Sequence, residues 1–353
     1  MVNSAPWLRL GWSLLVPVLS ITGSPVPRKI LAQSIPKETV QTEGPEKPEM
    51  LVEGAQFADP ALRRLKKCVE NNDLSCAQAA LRQVHDRGIE ANPDYLDLKA
   101  RALSLLHQKD DALKTIERAL QLNPQKYRYR MTEGRIHQSF GDQKSAIRSF
   151  LLADRLQPHS AETFYSLGMS FFLLGAYERA AKHFQQTLDL DPNYHRAAFM
   201  LGIMDMIQFR LADAKVQLER VIAAEPKNPF YHLYYGILLK RLGDNSDALR
   251  EVVTAKSLNP SYALTRFNLG LLLREKGEYQ AAKLELQEAV RLRPQFSAAY
   301  YQLGLVCHRL GIETESQKAY EEFEKAKAEE DRESKDPLES AVSGSESHPT
   351  SPP

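Results

Sequence analysis

From Ala161 the apolar residues Phe164, Leu167 and Phe171 recur at three- and four-residue spacing, and the same spacing returns in Ala180, Phe184 and Leu188. Each set falls on one face of a helix, so the stretch predicts two amphipathic helices. A polar, glycine-bearing break separates them at Leu174-Gly175-Ala176-Tyr177. Leu242-Gly243-Asp244-Asn245 and Lys276-Gly277-Glu278-Tyr279 are breaks of the same kind. Such breaks suit a tight turn between two helices, so the unit is a helix hairpin.

The hairpin repeats. Pro124, Pro158, Pro192, Pro226, Pro260 and Pro294 fall 34 residues apart, as do Gly134, Gly168, Gly202, Gly236, Gly270 and Gly304. A third series runs Ala112, Ala146, Ala180, Ala214, Ala248 and Ala282. Glycine inside a helix costs roughly 1 kcal/mol against alanine, so its recurrence calls for close helix approach, with the small alanine answering from the second helix. The proline lacks an amide donor and disfavours helix in the residue before it, so it ends each second helix.

Seven units fit one frame, starting at Pro93, Tyr127, Ala161, His195, Pro229, Ala263 and Ser297. The first has Ala100 in place of glycine; the last has Ser316 in place of alanine and no closing proline, departures that suit terminal repeats. Upstream, Leu62 to Glu70 and Ala77 to Arg87 predict a divergent helix pair, so the array is expected to cover residues 60–330, with 60–92 as the divergent unit. This arrangement closely resembles the tetratricopeptide repeat (TPR) family in length, in its helix-turn-helix reading and in the glycine, alanine and proline positions. The resemblance implies an all-α, TPR-type α-solenoid: a right-handed superhelix of antiparallel helix pairs, its first helices lining a concave groove that takes a partner's segment.

Placed in that frame, the groove reads in three zones. Arg101, Arg128 and Arg135 make its amino-terminal end basic. Tyr165, Met169, Phe172, Phe199, Ile203 and Met206 make the middle aromatic and methionine-rich, and Leu233, Tyr234 and Ile237 extend it. Lys240, Arg241, Phe267, Arg274, Tyr301 and His308 follow toward the carboxyl end. An open apolar stripe flanked by arginines suits a peptide or amphipathic helix with an acidic flank. The alternative is that these side chains pack against neighbouring repeats. The Lys and Asn pair with which some family members clamp chaperone carboxylates is absent, since Asp97 with Arg101 and Met131 with Arg135 stand there.

The two ends of the chain change the picture. Leu10 to Thr22 is an apolar segment of signal-peptide length, preceded by Arg9, and Ala32-Gln33-Ser34 offers small residues for cleavage; Gly23 is a second candidate point. Residues 1–34 therefore read as a secretory signal, the alternative being a leader on a cytosolic protein. Residues 35–59 and 331–353, rich in Pro, Glu, Ser and Thr, predict a disordered linker and a disordered polar tail. Lys325 to Glu333 reads as the solvated end of the last helix.

Charge and chemistry narrow the function. With 46 basic against 45 acidic side chains, the net charge of +1 supplies no field for nucleic acid. The nine histidines are scattered without ligand spacing, and neither a phosphate-cradling loop nor a nucleophile elbow occurs. No catalytic residues, metal ligands or cofactor are expected. Cys68 and Cys76 bracket a predicted turn at Asn71-Asn72-Asp73, so they form either a disulfide or two buried thiols, and Cys307 reads as core packing. The expectation is a non-enzymatic adaptor or assembly factor of a bacterial cell envelope. It would bind other proteins or peptides, not nucleic acid, and keep no stable transmembrane anchor once the signal is removed. An exported glycan- or polymer-binding protein and a cytosolic scaffold are the alternatives.

Overall fold

The computed structural model describes residues 60–84 and 91–334, and the expected signal, linker and final residues lie outside them. Among the described residues there are sixteen α-helices and no strand. The chain divides into two compact units whose boundary in the sequence falls between Arg210 and Leu211.

The amino-terminal unit holds α1 (Pro60–Glu70), α2 (Leu74–Gln83), α3 (Pro93–Leu105), α4 (Lys109–Leu122), α5 (Tyr127–Ser139), α6 (Gln143–Leu156), α7 (Ala161–Leu173), α8 (Tyr177–Leu190) and α9 (His195–Ile207). The carboxyl-terminal unit holds α10 (Leu211–Ala224), α11 (Pro229–Leu242), α12 (Asn245–Leu258), α13 (Ala263–Glu275), α14 (Tyr279–Leu292), α15 (Ser297–Arg309) and α16 (Glu313–Ser334). From α3 onward, each first helix begins on a residue that the 34-residue frame marks as a unit start.

Local chemistry explains the helix starts. The Ser160 hydroxyl accepts from the amide of Thr163, Asn92 from those of Asp94 and Tyr95, and Asp142 from that of Ser145, each satisfying a donor the first turn leaves open. Asp73 caps α2 through the amide of Cys76. That cap starts α2 at Leu74, three residues earlier than the apolar pattern suggested. The turns inside the hairpins need a left-handed residue: Gly141, Gly175, Gly243, Gly277 and Gly311 supply it, whereas His107 and Phe209 adopt φ of 60° and 59° at equivalent positions.

Inside each hairpin the helical glycine does make room, though not chiefly for the alanine. A Cβ on Gly168 would stand 2.6 Å from the Phe184 ring, one on Gly270 2.7 Å from Leu286, and one on Gly304 2.7 Å from Tyr320. The filling residue is the large side chain one turn beyond the alanine series. Ala146, Ala180, Ala248 and Ala282 are fully buried, letting the second helix come close enough for that side chain to reach. Each unit's apolar core is built from such fillings, for example Met131, Ala146, Phe150, Ala153 and Leu167 and Phe267, Leu286, Phe296, Leu303 and Val306.

The last hairpin closes differently. Ser316 replaces the alanine and donates its hydroxyl hydrogen to the Gly304 carbonyl at 2.9 Å, which satisfies a buried polar atom. With no proline to stop it, α16 runs for 22 residues where α14 has 14. Residues 331–334, expected in the disordered tail, are therefore helical. The carboxylate of Glu330 returns to the start of α15, accepting from the Ser297 hydroxyl at 2.7 Å and from its amide at 3.4 Å.

Candidate functional site

The expected groove residues sit on successive first helices, and their surroundings differ from the open stripe the sequence suggested. In the amino-terminal unit, Tyr165, Met169 and Phe172 on α7 and Phe199, Ile203 and Met206 on α9 are buried. The Tyr165 ring lies 5.0 Å from that of Tyr194 and 5.8 Å from that of Phe184, and Phe172 lies 5.9 Å from Tyr177. Burial pushes the Tyr165 hydroxyl up to about 12. In the carboxyl-terminal unit, Leu233, Tyr234 and Ile237 on α11 and Phe267 on α13 are likewise buried. Phe267 meets Phe296 at 4.8 Å inside the core. The apolar members are thus packing rather than an open stripe, because the small residues of each hairpin bring the helices close enough for these rings to fill the seams. Tyr301 on α15 is the exception at 37 % exposed, its ring leaning on Tyr320 and Phe323.

The arginines are engaged as well. Arg128 Nε lies 3.1 Å from Asp97 Oδ2, which joins α5 to α3. Asp97 is 1 % exposed, and its burial raises the carboxyl above the ordinary range against the opposing pull of Arg128, Arg101 and Arg135. Arg135 pairs with Glu162 on α7. Tyr129 donates to Asp94 at 2.7 Å, and Gln138 donates to Ser170 at 2.8 Å. In the other unit, Lys240 pairs with Glu275 at 2.8 Å and Arg274 donates to Gln302. Arg101 and Arg241 are half-buried. Polar pairs therefore stitch α3 to α5 and α5 to α7 in one unit and α11 to α13 and α13 to α15 in the other, and the basic amino-terminal zone carries its own counter-charges. Asp94 and Glu162 were the residues that sequence reasoning missed. Both stand second in their first helices, each facing a polar group on a neighbouring first helix, the Tyr129 hydroxyl for Asp94 and Arg135 for Glu162.

Cys68 and Cys76 are joined by a disulfide between the end of α1 and the start of α2, with Cα atoms 5.4 Å apart. Cys307 is buried, and burial pushes its thiol up. His232 sits in a packed position, one ring nitrogen 2.7 Å from Glu251 and the other 2.9 Å from the Pro226 carbonyl. Among the described residues, no group of three or more His, Cys, Asp or Glu side chains is placed to hold a metal ion. No helix among them is long and apolar enough to cross a membrane.

The family description "Tetratricopeptide repeat" matches residues 161–194, and "TPR repeat" matches residues 270–311. Anaphase-promoting complex subunit 3 of Schizosaccharomyces pombe is 28% identical over 182 residues, 50% of this chain and 27% of that protein. The BBSome complex member BBS4 of Bos taurus is 33% identical over 99 residues, 28% of this chain and 19% of its own length. The chain thus matches about a quarter or less of these relatives. Among solved structures, the APC/C heterotetramer Cut9–Hcn1 superposes with a TM-score of 0.60 at 18% identity, covering 78% of this chain and 54% of that one. A tetratricopeptide repeat protein from Parabacteroides merdae gives a TM-score of 0.52 at 16% identity, covering 70% and 97%.

Proposed function

We propose, from the tetratricopeptide repeats that match at residues 161–194 and 270–311, that this chain is a non-enzymatic scaffold that holds segments of partner proteins along the first helices of its repeats. The observation that carries the reading is the regular succession of first helices within each unit, where polar pairs join α3 to α5, α5 to α7 and α11 to α13. A surface held in register offers many small contacts at low ordering cost, which suits an extended or helical segment. Similarity to subunits of multiprotein assemblies in Schizosaccharomyces pombe and Bos taurus points the same way.

The test is affinity capture followed by cross-linking. A stoichiometric protein partner, cross-linked to first helices, is expected. Recovery of glycan alone, or of cross-links confined to second helices, would overturn the reading. Tyr301→Glu is the suitable variant, because Tyr301 is the exposed member of the set, and circular dichroism checks that the hairpin its ring leans on stays folded. Phe199 is 1 % exposed, so a charge there would report on folding instead.

The finer part of the proposal places this scaffold in a bacterial cell envelope. It rests on the signal-like pattern of residues 1–34, and a disulfide suits an oxidising compartment. Mass spectrometry of the native amino terminus checks it: a start after residue 23 or 34 is expected, and an intact Met1 counts against export by a cleaved signal.

A further inference from the structure

The first hairpin is built unlike those that follow. Its helices α1 and α2 have 11 and 10 residues, and α2 buries only Ala77 and Ala80. Together they lay Leu62, Leu65, Val69, Ala77 and Ala80 over Tyr95, Leu98 and Ala102 of α3. Arg64 reaches Gln83 across the hairpin at 3.4 Å, a long hydrogen bond between exposed groups. Set against this thin packing is a covalent bond between the last turn of α1 and the first turn of α2, at a sequence separation of 8.

We propose that α1 and α2 form a redox-latched cap: the Cys68–Cys76 disulfide keeps the two helices together as the hairpin that covers the apolar face of α3, and its reduction lets that hairpin unfold from α3 while the rest of the unit stays folded. Repeat arrays are held by nearest-neighbour packing, so a terminal hairpin can open without its successors. Linking two cysteines over so short a loop removes loop-closure entropy from the open state, which favours the closed cap by on the order of 100-fold. Opening uncovers Tyr95, Leu98 and Ala102, a strip that fits the apolar face of an amphipathic helix.

The chemistry is ordinary thiol–disulfide exchange with a dithiol as reductant. One thiolate of the reductant attacks a sulfur of the bond, more accessibly at Cys76, which is half-buried, than at Cys68, which is buried. The S–S bond breaks, Cys68 leaves as a thiolate and takes up a proton. The reductant's second thiol then resolves the mixed disulfide, leaving two cysteine thiols and an oxidised, cyclic reductant.

Native-state hydrogen exchange on the full chain, before and after dithiothreitol, tests the latch. Reduction is expected to lower protection of the α1 and α2 amides by roughly 100-fold and to leave those of α5 to α8 within twofold. Binding of the dye anilinonaphthalene sulfonate is expected to rise in parallel. The Cys68→Ser/Cys76→Ser variant, without reductant, should match the reduced protein. A change in α1 and α2 of less than threefold overturns the proposal, as does an equal loss across α5 to α8, which would make the bond a support for the whole unit.

Discussion

His183 lies between two phenylalanine rings, 5.2 Å from that of Phe171 at an interplanar angle of 4° and 6.0 Å from that of Phe164 at 23°. Burial lowers its pKa below the ordinary imidazole value, because the charged ring is poorly solvated there. The folded state therefore binds fewer protons than the unfolded state between that lowered pKa and about 6.5. The associated stability is full above about pH 6.5 and is lost as pH falls through the lowered folded value. Thermal melts from pH 8 to pH 5 should show this loss, and His183→Gln should flatten it by removing the titrating group. The stacking itself was not legible in the sequence, where His183 is one of nine scattered histidines. It depends on which way the ring points within the hairpin.

Among elements, the hairpin was the most readable feature. The glycine series marks the close approach inside each hairpin and the proline series the end of each second helix, because these requirements recur with each repeat and leave periodic residues behind. The partner of each glycine was not readable, since the filler varies from Phe150 and Phe184 to Val252, Leu286 and Tyr320. Any bulky side chain serves there, so no single residue type marks the position. The Arg135–Glu162 and Arg128–Asp97 pairs escaped notice for a related reason: each occurs between one pair of repeats only. That helical glycines are steric necessities can be checked at Gly168→Ala. The added methyl meets the edge of the Phe184 ring, itself fully buried. Overpacking of about 1–3 kcal/mol should outweigh the better helix propensity of alanine, about 1 kcal/mol, for a net destabilisation of order 1 kcal/mol in chemical denaturation.

On the scale of the whole molecule, a repeat array gains its stability locally, so damage should stay local. The end of α16 allows a clean test within one unit. Glu330→Ala removes the acceptor for the Ser297 hydroxyl and amide and should cost about 1 kcal/mol. Hydrogen exchange is expected to quicken in α15 and α16 while α11 and α12 keep their protection. The repeated interior was legible from end to end because its units share one solution. The terminal hairpins were legible in outline, but their details were not, because each is closed by chemistry of its own: a disulfide that the sequence left as one of two readings, and a last helix longer than its neighbours.

That overlong helix also bears on where the array can gain a repeat. Arrays of this kind lengthen when a unit is copied and reinserted in frame. A copy of residues 297–334 placed upstream would carry 22 residues of uninterrupted helix into a place where its neighbours stop after 14. It would also bring Glu324, exposed on the last helix, to the register position at which Val290 packs against a core. Such a duplicate would fold poorly and be lost. Interior units are interchangeable in a way the last is not, so descendants of this gene should vary in repeat number ahead of Ser297 while inheriting the closing hairpin as a single copy.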